Sequence, residues 1–214
     1  MLVFRQSDRT PRRLAILAGG FNPPTTAHLA LAGAALTVAD EVLFVLPKVF
    51  PHKKYVGATL EQRISMIQTA TAGNKSWSIG ISDQGLFIQI ADEAKSHFPQ
   101  SQLWFVCGRD AAERIAAWDY GHPAAFTKML ETFGLLVARR KGEYTPPPEL
   151  AARIRPLSLE SYDEHSSTEV RNRIRAGGEW RHLVPESIAK EVEKIYPRAS
   201  ASTRDPIKRP TRED

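Results

Sequence analysis

The sequence predicts one α/β domain: a parallel sheet of about five strands, helices on both faces, and a helical C-terminal portion. Three observations lead there. Short, unbroken apolar runs recur along the chain, stretches of helical period separate them, and turn residues punctuate the junctions. Strands covered on both faces need no polar alternation, and parallel neighbours need a crossover connection, usually a helix. A chain of 214 residues has room for one such core with short extensions.

Taken in order, residues 1–13 hold Arg5, Arg9, Arg12 and Arg13 against Asp8 and read as a flexible basic segment. LAILA (14–18) is the first strand, and GGFNPPTTAH leads from it into a helix over 28–38. VLFVL (42–46) is the second strand. The helix over 60–71 that follows keeps Leu60, Ile64 and Ile67 on one face, the spacing of an amphipathic helix. WSIGI (77–81), a helix over 87–98, LWFVC (103–107), helical segments over 111–117 and 123–133, and GLLVA (134–138) continue the alternation. Next come the proline-rich TPPPEL, a short strand candidate at 154–159, and a helix opening at SSTEVRNRI. In the last helix, PESIAKEVEKIY, Pro185 sits where a missing N–H does no harm. Residues 198–214 have no apolar periodicity and read as a disordered tail, leaving 14–197 as the domain. This alternation is Rossmann-like, with right-handed crossovers. Ligands in such sheets bind beyond the carboxyl ends of the strands, at the topological switch point.

Composition sets further bounds. Hydrophobic residues make up 42% and charged residues 25% of the chain, as in an ordinary globular protein. No apolar stretch reaches membrane-spanning length, and the N-terminal residues lack a signal peptide's apolar core. The single Cys107 allows no internal disulfide and suits a reducing cytoplasm. The net charge of +5 resides at the ends: the named residues of 1–13 give +3. At the other end Arg198, Arg204, Lys208, Arg209 and Arg212 against Asp205, Glu213 and Asp214 give +2. The domain between is formally neutral, which argues against a basic face for nucleic acid.

Four stretches carry chemistry. In GGFNPPTTAH, Gly19 and Gly20 let the backbone approach a ligand, Pro23 and Pro24 stiffen the turn, and Thr25 and Thr26 can cap the helix. The helix start favours an anion, and His28 stands in its first turn. A capped helix with a packed histidine explains the same residues without a ligand. LPKVFPHKKY places Lys48, His52, Lys53 and Lys54 at the end of the second strand, where a solvated basic loop is the plainer reading. In VCGRDAAERIAAW, Gly108 ends a strand, while Asp110 can cap a helix or accept from ribose hydroxyls. Trp118 can stack on a flat ring or pack in the core. In EHSSTEVRNRI, Ser166, Ser167 or Thr168 can cap a helix and Arg171 can clamp phosphate oxygens, or simply lie on the surface.

Together these residues resemble the nucleotidylyltransferase superfamily, most closely the bacterial nicotinate-mononucleotide adenylyltransferases. The likeness runs from about residue 14 to 196. It rests on GGFNPPTTAH, the PHK loop, the QR at 62–63, the GRD segment with its downstream tryptophan, and SSTEVR. The resemblance implies transfer of AMP from ATP to nicotinate or nicotinamide mononucleotide in NAD biosynthesis, with release of pyrophosphate. Mg²⁺ would be held with the ATP phosphates rather than by a protein metal site, and the substrates would be small molecules, with neither nucleic acid nor membrane as partner. It implies catalytic roles for His28, Thr25 and Lys53. Gly19, Gly20, Phe21, Asn22, Gly108, Asp110, Ser167, Thr168 and Arg171 would bind the nucleotide, and His52, Phe87, Ile88 and Trp118 the acceptor. Two alternatives share the fold: a nucleotidylyltransferase for another small phosphate acceptor, with ATP or CTP as donor, and a non-catalytic nucleotide-binding protein.

Two positions depart from the pattern. Many members carry histidines three apart in the first motif, and here the earlier one is Thr25. The stretch that usually frames the nicotinate ring with hydroxyls and a carboxylate reads FIQIAD, so Ile88 and Ile90 are expected to make an apolar wall there.

Overall fold

The computed structural model describes residues 1–5, 7–8, 10–51, 54–117, 125–138, 145–159, 162 and 165–198. Among them the strands are β1 (Leu2–Arg5), β2 (Arg13–Ala18), β3 (Glu41–Pro47), β4 (Trp77–Ser82), β5 (Gln102–Gly108), β6 (Phe133–Ala138) and β7 (Ile154–Leu157). The helices are α1 (Thr26–Ala35), α2 (Leu60–Ala70), α3 (Phe87–His97), α4 (Arg109–Ala117), α5 (Ala125–Thr132), α6 (Ser167–Ala176) and α7 (Ala189–Ile195). All seven strands join one sheet in the order β1-β4-β3-β2-β5-β6-β7, rather than the five or so expected.

Every neighbouring pair is parallel except β1 with β4. β3 is buried along its whole length and β6 likewise, as unbroken apolar strands between two helical layers should be. Period-two geometry splits the core. Leu14, Ile16, Leu43 and Val45 face Ile90 and Ala94 of α3, and Phe98 just beyond it, on one side. Ala15, Leu17, Phe44 and Leu46 face Ala32 and Ala35 of α1 and Ile67 of α2 on the other. A third cluster joins Met66 of α2 to Val170 and Ile174 of α6, Val192 of α7 and Tyr196, and seats the C-terminal helices beside the sheet.

The reading of residues 1–13 as flexible is corrected by β1, an added edge strand. Buried Glu41 fixes this region: it accepts from the hydroxyls of Ser7 and Ser78, and the Ser78 oxygen in turn accepts from the Ser7 N–H at 2.8 Å. From β2 the chain builds outward to β3 and β4, then returns to β5 on the opposite side of β2. That reversal between β2 and β5 makes the crevice beyond Ala18 and Gly108 the switch point.

Candidate active site

The turn after β2 is held from several directions. The Gly19 N–H still bonds the Val45 carbonyl at 3.0 Å, after which the chain leaves the sheet. Phe21 is buried at φ 43°, and the Asn22–Pro23 peptide is cis. Asn22, expected on the nucleotide, is instead buried and committed to the protein. Its Nδ2 donates to the Val56 carbonyl at 2.9 Å, and its Oδ1 accepts from the Ala58 N–H at 3.1 Å and from the Tyr196 hydroxyl. A buried amide has to satisfy its polar atoms, and this one does so by tying the turn to the 56–58 segment and the C-terminal helix. Gly57, at φ +136°, is required there because a Cβ would collide with the Asn22 amide.

His28 is oriented by the residue that caps its helix. The Thr25 N–H donates to His28 Nδ1 at 2.9 Å, with Thr25 Oγ1 2.8 Å from the same nitrogen. A backbone N–H can only donate, so Nδ1 is the acceptor and the ring proton sits on Nε2. The ring also meets Phe21 edge-on, with centroids 5.1 Å apart. Thr25 itself is fully buried, and its hydroxyl donates to the His165 carbonyl at 3.1 Å. The expectation of a directly catalytic Thr25 is therefore corrected: a side chain with no exposed surface cannot touch substrate, and Thr25 positions His28.

The start of α6 docks onto the same turn. Ser166 caps the helix by accepting from the Glu169 N–H at 3.1 Å. The Ser167 hydroxyl donates to the Pro23 carbonyl at 2.7 Å, and Arg171 Nη1 donates to the carbonyls of Asn22 and Ser167. Arg171 Nη2 lies 3.4 Å from the exposed Thr168 hydroxyl. The two stretches expected to bind an anion thus meet, bringing two helix N-termini and a guanidinium to one turn.

Across the switch point, Gly108 ends β5 with open space where a Cβ would stand, and Asp110 is exposed in the first turn of α4. In the stretch expected at the acceptor, half-buried Phe87 stacks on Phe105 at 4.3 Å between centroids, and Ile88 is half-buried beside it. Ile90 is fully buried in the core under α3. The expected two-isoleucine wall is corrected to Ile88 alone, because residues two apart on a helix point in different directions. Lys48 pairs with Asp83, so its charge is already matched. His52, Lys53 and Trp118 lie outside the described residues.

A cation that the sequence reading left without a role stands behind the turn. Arg63 is buried, donates from Nη1 to the Gly20 carbonyl at 3.2 Å, and holds its guanidinium carbon 4.7 Å from the Tyr55 ring centroid. Tyr55 stacks on Phe50 with centroids 4.8 Å apart. The signal was there: position 63 lies inside the apolar stripe of Leu60, Ile64 and Ile67, where a charged residue has to be explained. Burial lowers the Arg63 pKa and raises that of the Tyr55 hydroxyl.

The Cytidylyltransferase-like family model matches residues 16–173. The probable nicotinate-nucleotide adenylyltransferase of Thermus thermophilus is 30% identical over 189 residues, covering 85% of this chain and 97% of that protein. The nicotinate-nucleotide adenylyltransferase of Bacillus subtilis is 26% identical over 193 residues, covering 86% and 96%. A Plasmodium falciparum nicotinic acid mononucleotide adenylyltransferase, solved in complex with NaAD, superposes with a TM-score of 0.65 at 16% identity, over 86% of this chain and 96% of that one, and is similar in fold.

Proposed function

The chain belongs to the cytidylyltransferase-like family, and we propose that it transfers AMP from ATP to nicotinate mononucleotide in NAD biosynthesis, releasing pyrophosphate. The observation that carries this reading is the single cradle at the switch point, with His28 Nε2–H, the α1 and α6 N-termini and Arg171 around one turn. Relatives of nearly the same length named for that activity support it.

The reaction requires a phosphate oxygen of the acceptor to attack the α-phosphorus of ATP. That P–O bond forms as the bond to the bridging oxygen of the β-phosphate breaks, and pyrophosphate leaves with the electron pair. No covalent intermediate with the protein is needed. His28 Nε2–H stabilises charge on the α-phosphate oxygens, and the α6 N-terminus with Ser167, Thr168 and Arg171 holds the β- and γ-phosphates. The crevice past Gly108 and Asp110 takes the nucleoside, and Phe87 and Ile88 line the acceptor end. His52, Lys53 and Trp118 are assigned to the phosphates and acceptor ring by family resemblance. Among the described residues no group of three metal-binding side chains comes together. By family resemblance Mg²⁺ is an ion carried on the triphosphate, where it would offset phosphate charge. No helix among the described residues is long and apolar enough to cross a membrane, and a reducing cytoplasm is the compartment proposed.

The test is an acceptor panel with ATP and with CTP, read by pyrophosphate release. Turnover with ATP and nicotinate mononucleotide is expected. Turnover only with a different phosphate acceptor, or tight ATP binding without turnover of any acceptor, would overturn the assignment.

A further inference from the structure

Arg63 raises a question that the reaction does not answer. Its guanidinium is buried, its Nε has no hydrogen-bond partner, and no ion pair engages it among the described residues. It spends one donor on the carbonyl of Gly20, inside the turn that approaches the phosphates. The Gly20–Phe21 peptide is trans, so the Phe21 N–H points away from Arg63 as the carbonyl points toward it. Among the described residues that N–H has no hydrogen-bond partner. An unpaired backbone N–H in a turn at the end of a strand is a donor that an anion can take up.

Phe50 and Tyr55 complete the arrangement. A Cβ at Gly20 would lie 3.7 Å from Phe50 and 3.9 Å from Tyr55, so the stacked rings rest directly on the turn. Arg63 sits over both rings, 4.7 Å from the Tyr55 centroid and 5.4 Å from that of Phe50. The Tyr55 hydroxyl is anchored by donation to the Ala58 carbonyl at 2.7 Å.

We propose that Arg63 is a positioning residue for phosphate binding, which fixes the Gly20–Phe21 peptide with its N–H toward the anion and supplies a buried positive charge that the bound phosphate balances. The inference rests on the nucleotidyl-transfer reading and is independent of which acceptor is used. A buried, unmatched cation costs stability in the ligand-free protein, and the anion recovers that cost on binding. The pattern is therefore a loss in the free state and a gain in the bound one.

The test compares wild type, Arg63→Met and Arg63→Lys, with inorganic pyrophosphate and Mg²⁺ as the calorimetric probe, because it is a product for every acceptor. Arg63→Met is expected to bind pyrophosphate about tenfold more weakly. Its ligand-free melting temperature should stay within about 3 °C of wild type, the removed charge offsetting the lost ring contacts. Arg63→Lys keeps the charge without the planar fork and should lose an intermediate share, seen as a raised KM for ATP at nearly constant kcat. Wild-type pyrophosphate affinity in Arg63→Met overturns the proposal, as does an affinity loss matched by a fall in melting temperature. Should Arg63→Met fail to fold, unchanged affinity and KM in Arg63→Lys overturn it. A wild-type protein that binds no pyrophosphate overturns this inference and the reaction together.

Discussion

Replacing His28 separates the catalytic role proposed for it from its structural one, because that proposal assigns the two ends of the ring different work. Nδ1 accepts from the Thr25 N–H, which places the ring proton on Nε2, the donor proposed for the α-phosphate. His28→Ala removes both. Loss of one preorganised donor to a developing oxyanion costs about 100- to 1,000-fold in kcat. The buried Thr25 N–H also loses its acceptor, worth about 1–3 kcal/mol, and Phe21 loses an edge-on ring contact worth about 0.5–1.5 kcal/mol. A protein of this size loses about 2–4 °C of melting temperature per kcal/mol, so His28→Ala should melt some 5–15 °C lower. His28→Gln divides these effects. Glutamine at the third helical position can accept from the N-cap N–H in a capping box, so stability should largely return. Its amide protons point elsewhere than an imidazole Nε2–H, so turnover should not. The assays are steady-state kcat, calorimetric ATP affinity and thermal melting. Both variants should lose kcat by about 100-fold or more while ATP affinity changes little. Turnover of His28→Gln within threefold of wild type would falsify the donor role and return the ring to packing.

Other perturbations test the supports. Gly57→Ala should lose several kcal/mol, because the residue holds φ +136° and an added Cβ meets the Asn22 amide; a melting temperature equal to wild type contradicts the Asn22 clasp. Cys107 is buried, and burial pushes its thiol up to about 12, so folding keeps it protonated where an unfolded thiol ionises. Stability should then decline as pH rises from about 8.5, the unfolded value, toward 12. Native protein at pH 8 should resist a thiol reagent that labels it promptly in denaturant, and rapid native labelling would refute the burial. At the acceptor end, Ile88 offers no polar group, leaving the first-turn amides of α3 to favour a carboxylate by about 0.3–2 kcal/mol. Nicotinate should therefore be preferred over nicotinamide mononucleotide by roughly 2- to 30-fold in kcat/KM. A preference above about 1,000-fold refutes the apolar reading.

How legible all this was depends on how each element is stabilised. The strands at residues 14–18, 42–46, 77–81, 103–107 and 134–138 were readable because burial on both faces leaves an unbroken apolar run. β1 was not: it spans four residues, includes Arg5, leaves Leu2 62% exposed, and depends on distant partners. Ser7 with Glu41, and the His97 ring with the Met1 carbonyl at 2.8 Å, lie far apart in sequence. In the site, spacing revealed that residues 19–28 and 166–171 each suit an anion. It could not reveal that Thr25 faces inward, or that Asn22 spends its amide on Val56, Ala58 and Tyr196. Ile90 shows the same limit, since a motif position does not state which side of a helix reaches the ligand.

The contact between the two stretches proposed to bind the phosphates has an electrostatic consequence. Each alone is a helix start, worth about 0.3–1 kcal/mol toward an anion at a surface. Here the first turn of α6 bonds the Pro23 and Asn22 carbonyls, and the Thr25 hydroxyl bonds the His165 carbonyl, so the two starts are held against each other. Among the described residues of α6, the acid in the first turn is Glu169, two residues before Arg171. Its carboxylate is drawn to Arg173 at 2.6 Å, four residues along the helix. Arg171 is thereby left with neutral partners, the two carbonyls and the Thr168 hydroxyl, which a phosphate can outbid in a way it could not outbid a carboxylate. Glu169 and Arg173 look like an ordinary surface pair, and as such they would contribute little to stability. Their larger effect is to keep the acid off Arg171.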